Sequence, residues 1–394
     1  YMGERLTVPP AEAYGVATFY ALFSTEPQPP TVLHVCDDIA CQTRGADALC
    51  KHLEAEFGKE GVSCANGAIT WKRSPCLGLC EKAPAVLFQT SGEECQDYTL
   101  APVNAEQLSS ALRGKPSKEF RPIHGLPPQT VTPAMPLLKR VGSVDPLSYE
   151  AYCANGGYSA LRRALEIGAV EVIRELSSAR LMGRGGAAFP TGVKWKAVSE
   201  APAKPHYVVC NADESEPGTF KDRVIMEQDP FALIEALTIA GYACGAEQGV
   251  IYIRGEYPEA TSHLQNAILQ ARSAGLLGNN ILESGLTFDI EVRRGAGAYI
   301  CGEETALLNS LEGKRGEPRN KPPFPVHFGL FGKPTAINNV ETLVNVLPIL
   351  LEGGSQYAEI GSGNSTGTRL FCLSGNVERP GVYEIPYGAT LRSL

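Results

Sequence analysis

Apolar residues recur in two rhythms along this 394-residue chain. Short continuous runs read as strands: Val32–Val35, Ile69–Trp71, Ala85–Phe88, Tyr207–Cys210, Gly249–Ile253 and Phe288–Val292, with a last pair at Arg369–Val377 and Gly381–Glu384. Helical spacing of three and four separates them. It covers Gly45–Phe57, where Ala46, Leu49, Leu53 and Phe57 share a side, and Asn104–Arg113. It returns at Ser159–Ile167, Ala169–Ser177, Pro230–Ala243, Glu259–Ala274, Glu303–Leu311 and Asn339–Leu351. An amphipathic run from Pro10 to Phe23 has no partner, so it reads as the tail of a helical segment. Strands alternating with helices predict a layered α/β fold.

Proline marks the joints. Residues 114–136 carry six prolines and no apolar period, which predicts an extended linker. The expected units are residues 1–24, a small α/β domain over 25–113, that linker, a larger α/β body over 137–350, and a last unit over 351–394. The formal charge of −8 argues against nucleic acid, whose phosphates need a basic footprint. No apolar run approaches the roughly 18 residues of a membrane span, and no secretory leader is visible. A cytoplasmic protein without direct membrane insertion is expected. Tyr1 followed by Met2 suggests a trimmed piece.

Seven of the twelve cysteines fall before residue 100, so a cysteine-rich front precedes a cysteine-poor body. Cys36 and Cys41 stand five apart, and Cys76 and Cys80 four apart, each pair on a loop beside a strand. Four thiolates from two loops suit a [2Fe–2S] cluster, with Gly45 and Gly78 letting backbone N–H groups approach sulfur. A structural zinc site and four buried free thiols are the competing readings. Cys50, Cys64 and Cys95 lack a partner at ligand spacing and read as packing residues.

Four glycine- and charge-rich constellations follow in the body. Gly183-Arg184-Gly185-Gly186-Ala187-Ala188 matches G-x-G-x-x-G/A in form, but a helical run precedes it, so it is not a Rossmann fingerprint. Its small residues would let main chain approach a flat ligand, with Arg184 and Lys194 as cations for a phosphate. Asn211-Ala212-Asp213-Glu214-Ser215-Glu216 follows a buried strand, where open α/β sheets bind ligands. Gly295–Thr305 runs from strand through a glycine loop, past Tyr299 and Cys301, to a helix start, where Glu303 and Glu304 could equally be caps. Lys314, Arg315, Arg319 and Lys321 with Phe324 would clamp a dinucleotide or form a basic surface loop. Asn338-Asn339 and Thr342 open a helix suited to an anion.

Two resemblances arise from these residues. C-x₄-C and C-x₃-C, with A-T-F-Y-A-L-F before and C-L-G-L-C-E-K-A-P-A after, resemble the thioredoxin-like [2Fe–2S] subunit of respiratory complex I. The body motifs, in this order, resemble the NADH-binding flavoprotein subunit of the same complex. The implied fold is a thioredoxin-like domain, then a complex I flavoprotein-type FMN-binding α/β domain, then the start of a ubiquitin-like (SLBB) domain. The implied cluster ligands are Cys36, Cys41, Cys76 and Cys80. FMN would be held by Gly183, Arg184, Gly185, Lys194, Asn211, Asp213, Tyr299, Gly302, Glu303, Asn338, Asn339 and Thr342. NADH would meet Gly186, Ala187, Phe189, Glu216, Glu304, Lys321 and Phe324. Ala188 departs from the commoner Gly and narrows the loop by a methyl.

The family continues into a bundle carrying a [4Fe–4S] cluster; with no cysteine pair after Cys372, that cluster is expected only in a bundle missing here. The resemblance implies a diaphorase passing electrons between NAD(H), FMN and iron–sulfur, with no residue acting as a catalytic proton donor. The implied partner is a larger catalytic subunit with further iron–sulfur clusters. A formate dehydrogenase is favoured, ahead of an NAD-reducing or bifurcating hydrogenase or complex I. The opposing reading is a non-catalytic, zinc-stapled, nucleotide-binding scaffold.

Overall fold

The computed structural model describes residues 2–92, 97–113 and 135–393. Cys95 and linker positions 114–134 lie outside the described residues.

The front domain is a four-stranded sheet in the order Ile69–Ser74, Thr31–Cys36, Val86–Thr90, Tyr98–Leu100. The central Thr31–Cys36 strand runs parallel to the first, with Thr31 opposite Ile69, and antiparallel to Val86–Thr90. Helices Ala46–Phe57 and Ala105–Leu112 bury Leu49, Leu53, Leu108 and Leu112 against Leu33, Val35, Trp71 and Phe88. Asn104 closes a reciprocal capping box with Gln107, which fixes the start of the second helix. The Gly45 amide donates to the Gln42 carbonyl rather than to a sulfur, and with φ of 96° the residue turns the chain into helix Ala46–Phe57.

The body is built on five strands in the order Gly278–Ile281, Leu286–Arg294, Gln248–Ile253, Tyr207–Ala212, Thr335–Asn339. The last four are parallel to their neighbours, while the Gly278–Ile281 edge is antiparallel. Helix Pro230–Cys244 is buried along almost its whole length, which is why its sequence is apolar on every side. Its one acid, Glu235, is 1% exposed. It accepts hydrogen bonds from the Tyr152 hydroxyl at 2.5 Å and from the Tyr158 and Leu161 amides at 2.7 and 2.9 Å. A buried carboxyl is tolerated there because its oxygens have donors.

The structure departs from the sequence reading in three places. The N-terminal helix stops at Ala17. Beyond it the chain turns onto the body: the Ala21 and Leu22 amides donate to Gly297 and Ala296, and the Tyr20 hydroxyl hydrogen-bonds with Ser310 and the Lys314 carbonyl. The segment therefore has a partner after all. Asn339–Leu351 is a strand end followed by two helices, Val340–Val344 and Val346–Glu352, broken at Asn345, whose amide group bonds to Glu341 and the Tyr357 hydroxyl. Helices Ile39–Thr43, Thr191–Ser199 and Lys221–Gln228 and the strand Thr335–Asn339 have no counterpart in the apolar pattern. Among the described residues, no helix is long and apolar enough to cross a membrane.

Replacing Glu235 by Ala strands two buried amides and a phenol. A loss on the order of 3 kcal/mol is expected in chemical denaturation; a loss under about 1 kcal/mol would show that the donors find other acceptors.

Candidate cofactor sites

Each cysteine ligand candidate is placed by a backbone feature. Cys36 ends the central strand, and Cys41 sits in a helix whose N-cap Asp38 accepts from the Ile39 amide. Cys76 follows the Ile69–Ser74 strand, and Cys80 opens a 3₁₀ turn. The four are 1, 1, 2 and 5% exposed and are not in disulfides. Cys76 and Cys80 sulfurs lie 3.3 Å apart, and the Gly78 amide donates to Cys76 Sγ at 3.4 Å. Gly78 has φ of 67°, a backbone shape suited to glycine. Sulfur-to-sulfur hydrogen bonds run in a chain from Cys41 to Cys36, Cys76 and Cys80; they hold the Cys41 and Cys76 thiols below their ordinary range and push Cys36 and Cys80 up. A dry, all-sulfur donor set of this kind fits an iron–sulfur cluster.

The cluster loop is bolted to the body. Arg254, 3% exposed, donates from Nη2 to the Cys76 carbonyl and from Nη1 to the Glu214 carbonyl, each at 2.6 Å. Arg223 Nε donates to the Gly78 carbonyl at 2.8 Å, and its charge is met by Glu81 and Glu227. Tyr257 packs so closely that a Cβ on Gly78 would come within 2.1 Å of its hydroxyl. The Gly218 backbone N–H favours the thiolate at both Cys76 and Cys80.

Beyond this junction lies a cleft of about 730 Å³. Ten of the residues that the resemblance assigns to FMN or NADH line it: Arg184, Gly185, Gly186, Asn211, Asp213, Glu216, Tyr299, Gly302, Glu303 and Asn339. The Asn211 amide donates to the Gly302 carbonyl at 2.9 Å, joining the strand end to the glycine loop. Small residues are needed in these walls: a Cβ on Gly185 would lie 3.0 Å from Asn339 Cβ. Ala188 occupies the left-handed region at φ of 50°, where glycine would be unstrained. Tyr299 donates to Glu216 at 2.6 Å across the mouth.

Other candidates are placed elsewhere. Lys194 points its ammonium at the Ile337 carbonyl, 2.6 Å away, and burial pushes its pKa down. The Asn338 carbonyl oxygen accepts from the Trp195 indole, and Thr342 Oγ1 accepts from the Arg184 amide at 2.8 Å. Gly183 pairs its amide with the Phe189 carbonyl. Lys321 bridges Glu303 and Glu304 at 2.9 and 3.0 Å, and Glu303 also caps the helix Glu304–Leu311. Phe189 and Phe324 stand half exposed outside the cleft lining, as does Ala187 in the glycine loop. The sequence reading missed Lys221 and Asp222, whose signal lay in T-F-K-D-R just past the acidic motif. It also missed Arg369, Leu370, Phe371, Cys372 and Tyr387, which the C-terminal hairpin brings to the wall.

Asp213 sets the polarity of the cleft. Burial raises its pKa to about 7, against the pull of Arg254, and its Oδ2 has no hydrogen-bond partner. Burial likewise raises Glu214 to about 7. A heteroaromatic ring edge with an N–H would satisfy that open oxygen, and the glycine walls leave room for a flat ring, so the residues fit a flavin.

Fold and sites together define a flavin and iron–sulfur electron-transfer module. Residues 1–111 match the thioredoxin-like [2Fe–2S] ferredoxin family, and residues 176–348 match the Nuo51 FMN-binding domain. The chain therefore carries a thioredoxin-like [2Fe–2S] ferredoxin domain followed by a complex I-type FMN-binding domain. It is 54% identical over 258 residues to an NADH-quinone oxidoreductase subunit of Aquifex aeolicus, covering 66% of this chain and 60% of that protein. It is 37% identical over 397 residues to the alpha subunit of the NAD-reducing hydrogenase HoxS of Cupriavidus necator, covering 100% of this chain and 65% of that one. The crystal structure of an NAD⁺-reducing [NiFe]-hydrogenase in the H₂-reduced state superposes with a TM-score of 0.85 at 32% identity, over 99% of this chain and 64% of the other. The chain thus spans under two thirds of the length of these relatives.

With a folded pKa above the unfolded value, Asp213 favours the flavin-free fold most at low pH; that stability is lost as pH rises from about 4 to about 7. Asp213→Asn is expected to flatten this part of the profile and to raise flavin-free stability at pH 8 by about 3 kcal/mol in urea unfolding. An unchanged profile would place the charge in water.

Proposed function

We propose that this chain is the NADH:acceptor oxidoreductase, or diaphorase, module of a larger complex. One observation carries the reading: Gly218 lines the flavin-sized cleft, and its backbone N–H also favours the thiolates of Cys76 and Cys80 in the four-thiol site. FMN, when bound, supplies the exchange between a two-electron hydride and one-electron carriers.

The protein's own part is positioning. Asp213 holds a ring edge, the glycine walls admit two stacked rings, and the buried arginines fix the cluster loop beside them. No side chain is required as a proton donor. Gly183, Lys194, Asn338 and Thr342 support the cleft from behind by the hydrogen bonds described, so their role is to hold its walls. Asp213, Glu214 and Glu216 of the acidic loop line the cleft, so a 2′-phosphate there would meet carboxylates, which favours NAD(H) over NADP(H). Phe189, Lys321 and Phe324 form an outer rim for the dinucleotide.

A match along the whole of this chain to part of a hydrogenase subunit favours an NAD-reducing hydrogenase as the host. The formate dehydrogenase expected from the resemblance would use the same module with a different catalytic subunit, and co-purification tells them apart. Cytoplasmic residence, a domain boundary within 114–136, a ubiquitin-like unit begun by the hairpin, and a [4Fe–4S] bundle beyond it belong to the same proposal.

Purified protein is expected to be brown, to contain FMN with paired iron and sulfide, and to lose its flavin colour on adding NADH. A colourless zinc protein would contradict the reading. NADH should exceed NADPH in kcat/KM by at least about 10-fold, a difference near 1.4 kcal/mol, and Glu216→Gln should narrow the gap. Equal values for the two nucleotides in the unaltered protein would refute the charge argument.

A further inference from the structure

The cleft has an unneutralised positive end. The hairpin strands Thr368–Leu373 and Gly381–Pro386 pair antiparallel and bring Arg369 and Tyr387 to its wall. The Tyr387 hydroxyl accepts from two guanidinium groups at once, Arg184 Nη1 at 2.9 Å and Arg369 Nη1 at 3.2 Å. Arg184 also lies over the Tyr387 ring, 4.8 Å from its centroid, and donates to the Thr366 carbonyl. Its other partner is the Tyr357 hydroxyl. All of these acceptors are neutral. Among the described residues, neither arginine has a carboxylate partner.

Two like charges on one phenol oxygen repel each other, and the Arg184 charge is only 2% exposed, so water screens it poorly. Arg184 Nε has no hydrogen-bond partner. The remaining cation of the lining, Lys221, is already balanced by Asp222 and Glu341. The acids Asp213, Glu216 and Glu303 belong to the adjoining strand-end and glycine-loop walls. The cleft is therefore polarised: carboxylates on those walls, two uncompensated guanidinium groups at the hairpin. A ligand with a neutral polar ring and a terminal dianion matches that polarity.

We propose that Arg369, together with Arg184, binds the phosphate of FMN, which makes the C-terminal hairpin part of the flavin site. This rests on the flavin reading above and assigns the anionic end of the ligand to particular residues. Arg369 is half-buried at the cleft wall. Arg184, fixed by Tyr357 and Thr366, serves as the stationary charge.

The test is the ratio of two affinities. Flavin-free protein is titrated with FMN and with riboflavin, which lacks the phosphate, by quenching of flavin fluorescence. The unaltered chain should bind FMN at least about 100-fold more tightly. Arg369→Gln should cut that ratio about 10-fold while leaving the riboflavin Kd unchanged, and Arg369→Lys should restore most of it. An unchanged ratio in Arg369→Gln overturns the proposal. So does an unchanged ratio with a raised KM for NADH, since the arginine would then serve the dinucleotide's diphosphate. If Arg369→Gln also loses riboflavin, Arg369→Met decides: a ratio cut about 10-fold with normal riboflavin binding supports the proposal, and an unchanged ratio contradicts it. A wild-type chain that binds neither flavin defeats the functional reading itself, a result distinct from all of these.

Discussion

A buried guanidinium joins the cluster loop to the cleft. Arg254 reaches from the end of the Gln248–Ile253 strand and holds two carbonyls at once, one from the cluster loop at Cys76 and one from the cleft wall at Glu214. A charge that deep cannot be left without acceptors, since an unpaired buried ion costs several kcal/mol. The constraint works in both directions. The arginine needs the loop, and the loop is fixed in distance and orientation relative to the cleft. Arg223 repeats the arrangement one residue pair further on, at Gly78. Two small sites on separate sheets thus become one device.

The cleft follows from a second constraint, the exclusion of side-chain bulk. Glycines at 185, 186, 218 and 302 leave backbone as the wall on several sides. What polar character remains is borne by a few acids, of which Asp213 is buried with an open oxygen. Burial and small residues together select a flat ligand with a hydrogen-bonding edge. The C-terminal hairpin closes the space, so binding there and docking of the hairpin are coupled through Tyr387 and Arg184.

How much of this could be read from the sequence depends on how local each signal was. The cysteine pairs are local, and all four sulfurs meet. The strands Thr31–Cys36, Tyr207–Ala212 and Gln248–Ile253 grow from short apolar runs and form within a residue or two of where expected. Asn211, Asp213, Tyr299 and Gly302 lie on motifs at strand ends and reach the cleft. Lys194 and Asn338 lie on the same motifs, yet their side chains turn to Ile337 and Trp195, because helix Thr191–Ser199 packs behind the wall. Arg223 and Arg254 carry no pattern: an isolated arginine in a helix or strand reads as surface until its partners, far away in sequence, are known. The hairpin's contribution is hidden for the same reason. Arg369 and Arg184 are 185 positions apart, and only the fold brings them to one hydroxyl.

The most direct test of the electron route is rapid mixing of the holoprotein with NADH under anaerobic conditions, following flavin absorbance and the [2Fe–2S] electron paramagnetic resonance signal together. The account predicts that the cluster signal rises after the flavin bleaches, and that flavin-free protein, its cluster still reducible by dithionite, gives no cluster signal with NADH. A cluster reduced by NADH at the same rate without flavin would contradict it.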